Sequence, residues 1–447
     1  MRRFLLLFGC LIVCGVLPAQ EISQRAAAQE LDNRIRLSTV FANGHSGFAL
    51  YDLEAERTVY GYQEDRYFVP ASNTKLLTFF VANRLLADGA PALLYHQSPD
   101  RLDVWGTGYP LLLHPSFTDY DTLLPWLKRK EGPIVLNFPE QDQPPRYGAG
   151  WSWDDFDYGY VYERSSLPVY GNRLYIDYQQ VGDTDAEVLV GSPSEVVDNL
   201  VQDARQERTI SRIEGSNFFT VNENFTRRYN FPLQRALTVD TASTLRYLRG
   251  GIPGKSVRSD DRSLPPSLLL DTLMSELPDT LYRKVLQESD NFLAEQLILL
   301  AATSRYGWPD EDALFEWATD TLFLEMDLGE VSYRDGSGLS RYNLVRPDQL
   351  VQIVAALDRE VGHERLLSLL PAGGVSGTLE KRFDNRQETF VWAKTGTLSG
   401  VICISGLLRT RAGKWLAFSF LHNNVMAPSR EYYAEMEDIL GWVYDHL

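Results

Sequence analysis

Three short motifs, far apart in the chain, constrain most strongly how it can fold. They are Ser72–Lys75 (Ser-Asn-Thr-Lys), Ser289–Asn291 (Ser-Asp-Asn) and Lys394–Gly396 (Lys-Thr-Gly). Each motif alone is weak, because a serine three residues before a lysine is expected about once by chance in a chain of this length. Together they supply a hydroxyl, two amines and an amide, the groups of a serine acyl-transferase that uses lysine as its base. The sequence therefore predicts a fold that brings these distant segments into one cleft.

The first motif is predicted to lie at the N-terminus of a helix. An apolar-periodic run from Ser72 to Leu86 favours a helix that begins near the serine. Lys75, one turn further on, can accept the proton of the Ser72 hydroxyl. A free lysine has a pKa of about 10.4, so this base requires partial burial and a neighbouring cation, for which Lys394 is the candidate. The alternative is that Ser72 only caps the helix and that Lys75 is solvated.

The second motif is predicted to assist proton transfer. Ser289 can relay a proton between Lys75 and the leaving amine, and the Asn291 amide can hold Lys75 and a substrate carbonyl. A helix cap at Ser289 is the competing interpretation. The sequence has no capping box at this position, because Phe292 stands where Glu or Gln would be expected.

The third motif is predicted to bind the substrate at the end of a strand that begins at Phe390. Lys394 and Thr395 can bind a carboxylate there, and Gly396 lets a ligand backbone approach and pair along the strand edge. The backbone N–H groups of Ser72 and Thr397 are the candidates for an oxyanion hole.

Charge and composition restrict the partners and cofactors. The net charge of -17 argues against nucleic acid and against anionic membrane surfaces, which both require a basic footprint. The 44% hydrophobic and 23% charged residues are typical of a soluble protein. With six histidines and no clustered Cys/His spacing, we expect neither a metal site nor another cofactor.

The N-terminal segment is typical of an export signal. Two arginines precede the apolar stretch Phe4–Leu17, and Ala19 offers a small residue at a cleavage point. The stretch is shorter than the roughly 20 residues of a spanning helix, so we expect cleavage near Ala19 and no transmembrane anchor afterwards. The protein is therefore expected to be periplasmic or secreted. Cys10 and Cys14 fall in this segment, which leaves Cys403, in an apolar run, as a buried small hydrophobe.

The order of predicted elements indicates an α+β protein whose antiparallel sheet is built from both chain ends. Strand patterns within residues 47–62 precede the Ser72 helix, and a hairpin over residues 401–422 precedes a C-terminal helix at 431–447. Between residues 90 and 230, short β-like runs alternate with Pro- and Gly-rich turns, which predicts an insertion. The expected organisation is a signal peptide (1–19), the first part of the sheet-and-helix domain (20–90), one or more inserted β-rich domains (91–230) and the second part of the sheet-and-helix domain (231–447).

Longer segments around the motifs carry a resemblance to a known family. They are Phe68–Thr78, Asp290–Glu295, Asp335–Arg341, Leu370–Leu379, Lys381–Phe383 and Ala393–Leu398. On these segments the chain resembles the class C penicillin-binding proteins, which are D-alanyl-D-alanine carboxypeptidases/endopeptidases of the penicillin-binding protein 4 type. The resemblance covers most of residues 45–90 and 280–425.

The resemblance implies a fold and a set of roles. The fold would be a β-lactamase/transpeptidase-like domain, an antiparallel sheet flanked by helices, with a β-rich insertion between the first two motifs. Ser72 would be the acylated nucleophile and Lys75 the base. Ser289 and Asn291 would act as relay and support, and Lys394 with Thr395 would anchor the substrate carboxylate. The partners would be peptidoglycan stem peptides and the β-lactams that mimic them.

One part of the insertion departs from the family pattern. The family has a Gly-Asp-Pro stretch that is thought to shape a pocket for the side-chain amine of the stem peptide. Gly106–Pro110 (Gly-Thr-Gly-Tyr-Pro) stands in that place, with Tyr109 where the acid would be. Trp151–Asp155 is either a source of a substitute acid or an aromatic-rich turn, and both interpretations stay open.

Two other functions also stay open at this point. A β-lactamase or esterase on the same scaffold is disfavoured, because a Glu-x-x-Leu-Asn deacylation motif is absent. A non-catalytic peptidoglycan-binding scaffold is disfavoured by the intact motifs. The sequence leaves open the balance between carboxypeptidase and endopeptidase activity, and the oligomeric state.

Overall fold

The computed structural model describes residues 25–182, 187–227, 231–265 and 270–447. The predicted signal peptide, residues 1–19, lies outside the described residues. The chain divides into two compact units, the first made of residues up to Leu76 together with Asn343–Leu447, and the second made of Leu77–Tyr342. The domain boundaries predicted near residues 90 and 230 stay predictions.

Strands and helices are both abundant. The strands, in chain order, are β1 (His45–Asp52), β2 (Arg57–Tyr62), β3 (Ala90–Gln97), β4 (Leu102–Trp105), β5 (Ile134–Asn137), β6 (Arg173–Gln180), β7 (Glu187–Ser192), β8 (Val201–Gln202), β9 (Ile210–Arg212), β10 (Phe219–Val221), β11 (Leu233–Ala236), β12 (Val257–Asp260), β13 (Asp271–Ser275), β14 (Val391–Leu398), β15 (Val401–Arg409) and β16 (Trp415–Asn423). The helices are α1 (25–37), α2 (Thr74–Leu86), α3 (Leu123–Arg129), α4 (Ser194–Val197), α5 (Thr241–Gly251), α6 (Asp279–Leu286), α7 (Asn291–Tyr306), α8 (Glu311–Trp317), α9 (Phe323–Glu325), α10 (Pro347–Val361), α11 (His363–Leu369) and α12 (Ser429–His446).

One five-stranded sheet forms the centre of the first unit. Its strand order is β14-β15-β16-β1-β2, and every neighbouring pair is antiparallel. Strands from the two ends of the chain meet where β1 pairs with β16. The prediction of an α+β protein with an antiparallel sheet built from both chain ends is therefore confirmed.

Alternate residues along the strands build an apolar core with two helices. Leu50 of β1, Ile404 of β15 and Phe420 of β16 are buried in one cluster with Leu31 of α1 and Leu440 of α12. Successive strand residues point to opposite faces, so these residues line the same face of the sheet. Each such buried side chain typically contributes about 1.5–3 kcal/mol, which makes the sheet a firm support for its edge strand β14.

The third motif lies inside β14, not at its end. Leu398 pairs with Val401, and a turn at Ser399–Gly400 joins β14 to β15. Gly400 has a φ of +75°, a conformation that glycine adopts without steric cost. The prediction that Lys394–Gly396 ends a strand is therefore wrong, because the chain reverses at this hairpin turn four residues later.

Over its described residues, the second unit combines three sheets with helices. A mixed five-stranded sheet has the order β12-β5-β4-β3-β13, and two three-stranded sheets have the orders β11-β6-β7 and β8-β10-β9. Helix α7 is buried at every position from Phe292 to Thr303. Because the Ser-Asp-Asn motif is the start of this helix, it is attached to one of the most buried elements of the unit. No helix among the described residues is both long and apolar enough to span a bilayer.

Candidate active site

Ser72 lies in a strained turn just before α2. The 3₁₀ turn Ala71–Asn73 leads directly into the helix. Ala71 has a φ of +47°, in the left-handed region that residues with a Cβ rarely occupy. Such a conformation costs on the order of 1–3 kcal/mol and is often found at functional sites.

Lys75 contacts Ser72 across the first turn of α2. Its Nζ lies 3.1 Å from Ser72 Oγ in a hydrogen bond, and Lys75 is fully buried. The spacing of three residues places both side chains on one face of the turn. A neutral amine at this position would be within direct reach of the hydroxyl proton.

A second amine lies close to the first. Lys394 is 0% exposed, and burial lowers its pKa well below the ordinary value of 10.5, with a further lowering from the charge of Lys75. The Lys394 Nζ donates a hydrogen bond of 2.8 Å to the carbonyl oxygen of Thr395. Two buried ammonium groups repel each other, so the pair favours a state in which only one amine is protonated.

The strand that carries Lys394 passes very close to the turn that carries Ser72. A Cβ at Gly396 would lie 2.8 Å from the carbonyl oxygen of Pro70 and 3.0 Å from the backbone nitrogen of Ser72. No other residue fits at position 396 without separating the strand from the turn. The glycine is therefore required by backbone packing within the site.

Asn73 ties the same turn to the sheet, and sequence reasoning assigned it no role. Its Nδ2 donates to the carbonyl oxygen of Lys394 at 2.9 Å, and its Oδ1 accepts from Ser405 Oγ at 2.6 Å. Ser405 Oγ also lies 2.8 Å from Ser419 Oγ. Asn73 is fully buried, so these bonds fix the turn against β14 and β15.

Thr395 and Thr397 direct their backbone groups away from β15. The Ala393 N–H donates to Pro371 O at 2.9 Å and the Val391 carbonyl accepts from Gly373 N at 2.9 Å, both outside the sheet. Because this direction alternates along a strand, Thr395 and Thr397 present their backbone groups on the same side. The assignment of the Ser72 and Thr397 N–H groups to an oxyanion hole stays a prediction.

The Ser-Asp-Asn motif belongs to the second unit. Ser289 has a φ of +61°. Asp290, not Ser289, is the N-cap of α7 and accepts a hydrogen bond of 2.9 Å from the Leu293 N–H. The Asn291 Nδ2 donates to the carbonyl oxygen of Tyr160 at 2.8 Å.

A buried ion pair holds this motif in place. Arg173 Nη1 lies 3.0 Å from Asp290 Oδ2, and both side chains are less than a tenth exposed. Burial alone would raise the pKa of Asp290, but the Arg173 charge and hydrogen bonds lower it below its ordinary value of 3.8. Removal of either partner would leave an unpaired buried charge, which typically costs about 3–5 kcal/mol.

A polar cleft of about 360 Å³ opens beside the motif within the second unit. Ser289 and Asn291 line it, together with Tyr160 and the ion pair of Lys284 with Glu288, whose Nζ–Oε2 distance is 2.9 Å. The cleft offers both positive and negative groups to a ligand. The predicted roles of Ser289 and Asn291 beside Lys75 stay predictions.

Tyr109, which stands in place of the family's acid, is part of the core of the second unit. It is 0% exposed, and its hydroxyl lies 3.1 Å from Ser275 Oγ. A Cβ on the neighbouring Gly108 would lie 2.5 Å from Leu299 Cβ, so this segment packs tightly against α7. Residues 106–110 therefore have a packing role in this unit.

Trp151–Asp155 was expected to be either an aromatic-rich turn or a source of a substitute acid, and it has contacts relevant to each. The Trp151 Nε1 donates to Asp335 Oδ2 at 2.8 Å, which fixes the turn. Burial and the adjacent Asp155 carboxylate raise the pKa of Tyr160 to about 12, so Asp155 lies beside a residue that lines the cleft. A role for this segment in binding an amine stays a prediction.

Cys403 is buried, as predicted, and burial raises the pKa of its thiol to about 12. Within the described ranges, no group of three or more His, Cys, Asp or Glu residues is placed to hold a metal ion.

Comparisons with known proteins identify the family. The model of the D-Ala-D-Ala carboxypeptidase 3 (S13) family matches residues 141–442, which is more than half of the chain and includes the second and third motifs. The chain therefore belongs to this family and is a peptidase, that is, a hydrolase. The resemblance noted from the motifs is thereby confirmed.

Relatives match over most of the length. The D-alanyl-D-alanine carboxypeptidase DacB of Haemophilus influenzae is 24% identical over 409 residues, which cover 83% of this chain and 84% of the relative. The crystal structure of penicillin-binding protein 4 (dacB) from Haemophilus influenzae has a TM-score of 0.70 and 20% identity, and the match covers 94% of this chain and 99% of that chain. The structure of that protein complexed with a β-lactam has a TM-score of 0.62 and 17% identity, with the same coverage. These structures confirm the predicted fold class.

Proposed function

We propose that this chain is a serine-type D-Ala-D-Ala carboxypeptidase/endopeptidase that cleaves peptidoglycan stem peptides through an acyl-enzyme at Ser72. The observation that carries the proposal is the hydrogen bond between Lys75 and Ser72, formed by a fully buried amine with a second buried amine, Lys394, close by. If Lys75 were only a solvated residue of the first helical turn, its side chain would be exposed. Membership of the S13 family supports the same assignment.

In the acylation step, Ser72 attacks the carbonyl carbon of the scissile peptide bond. Lys75, in its neutral form, takes the hydroxyl proton as the Oγ–carbon bond forms. The N–H groups of Ser72 and Thr397 stabilise the negative oxygen of the tetrahedral intermediate. The carbon–nitrogen bond then breaks, and Ser289 passes the proton from Lys75 to the leaving amine.

In the deacylation step, water hydrolyses the ester at Ser72. Lys75 accepts a proton from the attacking water and returns it to Ser72 Oγ as the carbon–oxygen bond breaks. The products are a shortened peptide with a free carboxylate and the regenerated serine. The leaving amine is D-alanine in the carboxypeptidase reaction and the amine of a crosslinked peptide in the endopeptidase reaction.

The charge of Lys394 assists both steps. Repulsion between the two buried ammonium groups favours the neutral form of one of them, and Lys75 acts as the base when Lys394 holds the proton. Asn291 supports the substrate carbonyl, and Lys394 with Thr395 anchors the terminal carboxylate.

We also propose where the enzyme acts and what inhibits it. Peptidoglycan lies outside the cytoplasm, so the protein would be periplasmic or secreted after cleavage near Ala19. β-Lactams would acylate Ser72, and the β-lactam complex of the related Haemophilus influenzae protein supports this expectation.

A labelled penicillin tests the nucleophile. Wild type is expected to carry the label covalently on the peptide that contains Ser72, and Ser72→Ala is expected to carry none. Ser368→Ala is the matched control, because this serine is exposed on α11 of the same unit and should leave labelling unchanged. Label retained by Ser72→Ala on another residue would contradict the assignment.

Two peptide substrates then separate the proposed activities. Release of D-alanine from a pentapeptide measures carboxypeptidase activity, and conversion of a crosslinked dimer to monomers measures endopeptidase activity. No product from either substrate would favour a binding role, and rapid turnover of a chromogenic cephalosporin would favour a β-lactamase.

A further inference from the structure

The Thr395 hydroxyl, half of the expected carboxylate anchor, is already engaged within the protein. Its Oγ1 donates a hydrogen bond of 2.8 Å to Thr378 Oγ1, and Thr395 is only 8% exposed. A hydroxyl has one proton to donate, whereas an ionised carboxylate can only accept hydrogen bonds. To donate to the substrate, the Thr395 hydroxyl must give up this bond, so a further donor would strengthen the anchor.

Lys394 is a poor anchor for a carboxylate by itself. Its side chain is fully buried and its Nζ donates to the carbonyl oxygen of Thr395. Burial and the charge of the neighbouring Lys75 lower its pKa, so its positive charge is not permanent. Because only one of Lys394 and the catalytic base Lys75 is protonated at a time, Lys394 holds a substrate carboxylate less well than a permanent cation would.

Arg382 provides a permanent cation close to the same threonines. Its Cζ lies 3.7 Å from the centre of the Tyr433 ring, in a cation–π contact. Tyr433 is buried on α12, and its hydroxyl lies beside the side chains of Thr397 and Thr395. The aromatic ring thus holds the guanidinium near the strand edge on which Thr397 is exposed.

The contact with Tyr433 leaves the edge of the guanidinium suited to a ligand. Stacking uses the flat face of the group, whereas its N–H donors point outward in the plane. Glu437, one turn further along α12, is an acidic neighbour of Arg382. Its carboxylate accepts the backbone N–H of Phe383, which ties it to the main chain.

We propose that Arg382, held against Tyr433, binds the terminal carboxylate of the substrate beside Thr397. A guanidinium can donate two parallel hydrogen bonds to a carboxylate, an arrangement that recognises both its charge and its shape. Arg382 would thereby determine the preference for peptides with a free C-terminal carboxylate. This inference rests on the proposed carboxypeptidase function and adds a residue that the three motifs do not contain.

The experiment compares two pentapeptides that differ only at the C-terminus, one ending in D-alanine and the other in D-alaninamide. Wild type is expected to prefer the carboxylate peptide in kcat/KM. A hydrogen bond to a charged group corresponds to roughly tenfold or more in binding, so Arg382→Gln should reduce this preference by about tenfold or more. The loss should appear mainly in KM for the carboxylate peptide, with the amide peptide changed less than about twofold.

Two further variants distinguish substrate binding from a packing role. Arg386→Gln is the matched control, because Arg386 also lies over aromatic rings, those of Phe390 and Tyr444, and pairs with Asp445 of α12. It should keep the wild-type preference. Arg382→Lys retains the charge without the planar fork, so it should keep part of the preference.

Each outcome decides the matter. A preference that is unchanged in Arg382→Gln, or rates that fall equally on both peptides, would overturn the proposal and leave Arg382 a packing role. If Arg382→Gln fails to fold, folded Arg382→Lys decides in its place: a reduced preference supports binding through the fork, and retention at the wild-type level overturns the proposal. A wild-type enzyme without any preference would also overturn it. Failure of wild type to cleave either peptide would instead contradict the proposed function.

Discussion

The substitution Gly396→Ala measures how closely β14 must approach the turn that carries Ser72. A Cβ at this position would lie 2.8 Å from Pro70 O, 3.0 Å from Ser72 N and 3.1 Å from Asn73 N. All three are backbone atoms and cannot rotate away, so the strand and the turn must separate by about half an ångström to reach ordinary contact. Overpacking of this kind costs about 1–3 kcal/mol of unfolding free energy.

The same displacement should slow acylation. A misplacement of about 1 Å can cost roughly 100-fold in rate, so half of that distance predicts a loss of about tenfold. The rate of labelling by a fluorescent penicillin measures acylation, and urea unfolding measures stability.

A second glycine provides the control for Gly396→Ala. Gly250, near the end of α5, is exposed, and a Cβ added there would have no atom within 4 Å. Gly250→Ala should therefore raise stability slightly, by about 0.5–1 kcal/mol, and leave labelling unchanged. A Gly396→Ala protein that is labelled at the wild-type rate, with an unchanged urea midpoint, would refute the close-packing argument.

Two further substitutions test one buried polar group in each unit. Asn73→Ala should lower the unfolding free energy in urea by about 1–3 kcal/mol, because the Lys394 carbonyl and the Ser405 hydroxyl each lose a buried partner; an unchanged midpoint would contradict this. Glu311, 2.8 Å from Arg164, has its pKa raised to about 7, first by burial and further by Glu295, against the Arg164 charge. Because the folded pKa lies above the ordinary value of 4.5, the contribution of Glu311 to stability is present below that value and is lost as the pH rises through about 7. The difference is on the order of 3 kcal/mol, so Glu311→Gln should lose less stability than wild type between pH 5 and pH 8 in urea titrations, and parallel curves would disprove the assignment.

Short-range patterns in the sequence predicted the elements of the first unit well. The apolar run around Cys403 predicted a buried residue, and the strand patterns over residues 401–422 predicted the hairpin of β15 and β16. The helix predicted at residues 431–447 corresponds to α12, Ser429–His446. These signals are local, since alternation and turn residues depend on neighbours in the chain.

The polar contacts around the motifs could not be predicted in the same way. Asn73 stands inside the first motif, but its partners, Lys394 and Ser405, are more than 300 positions away. Tyr433 belongs to an amphipathic helix, where an aromatic residue indicates only burial. Its position beside Thr395 and Thr397 results from the packing of α12 against the sheet, which no local pattern encodes.

Several costly features of the first unit lie at or beside the residues to which its chemistry is assigned. Ala71 has a left-handed backbone, and Lys75 and Lys394 are both completely buried although an amine is solvated far better in water. The apolar core between the sheet and helices α1 and α12 provides the stability that makes these features tolerable. Burial destabilises the charged form of both amines and therefore favours a neutral lysine that can act as a base. The unfavourable contribution to folding and the basicity required for acylation thus have one physical cause. Substitutions that relieve it should therefore stabilise the fold at the expense of the reaction.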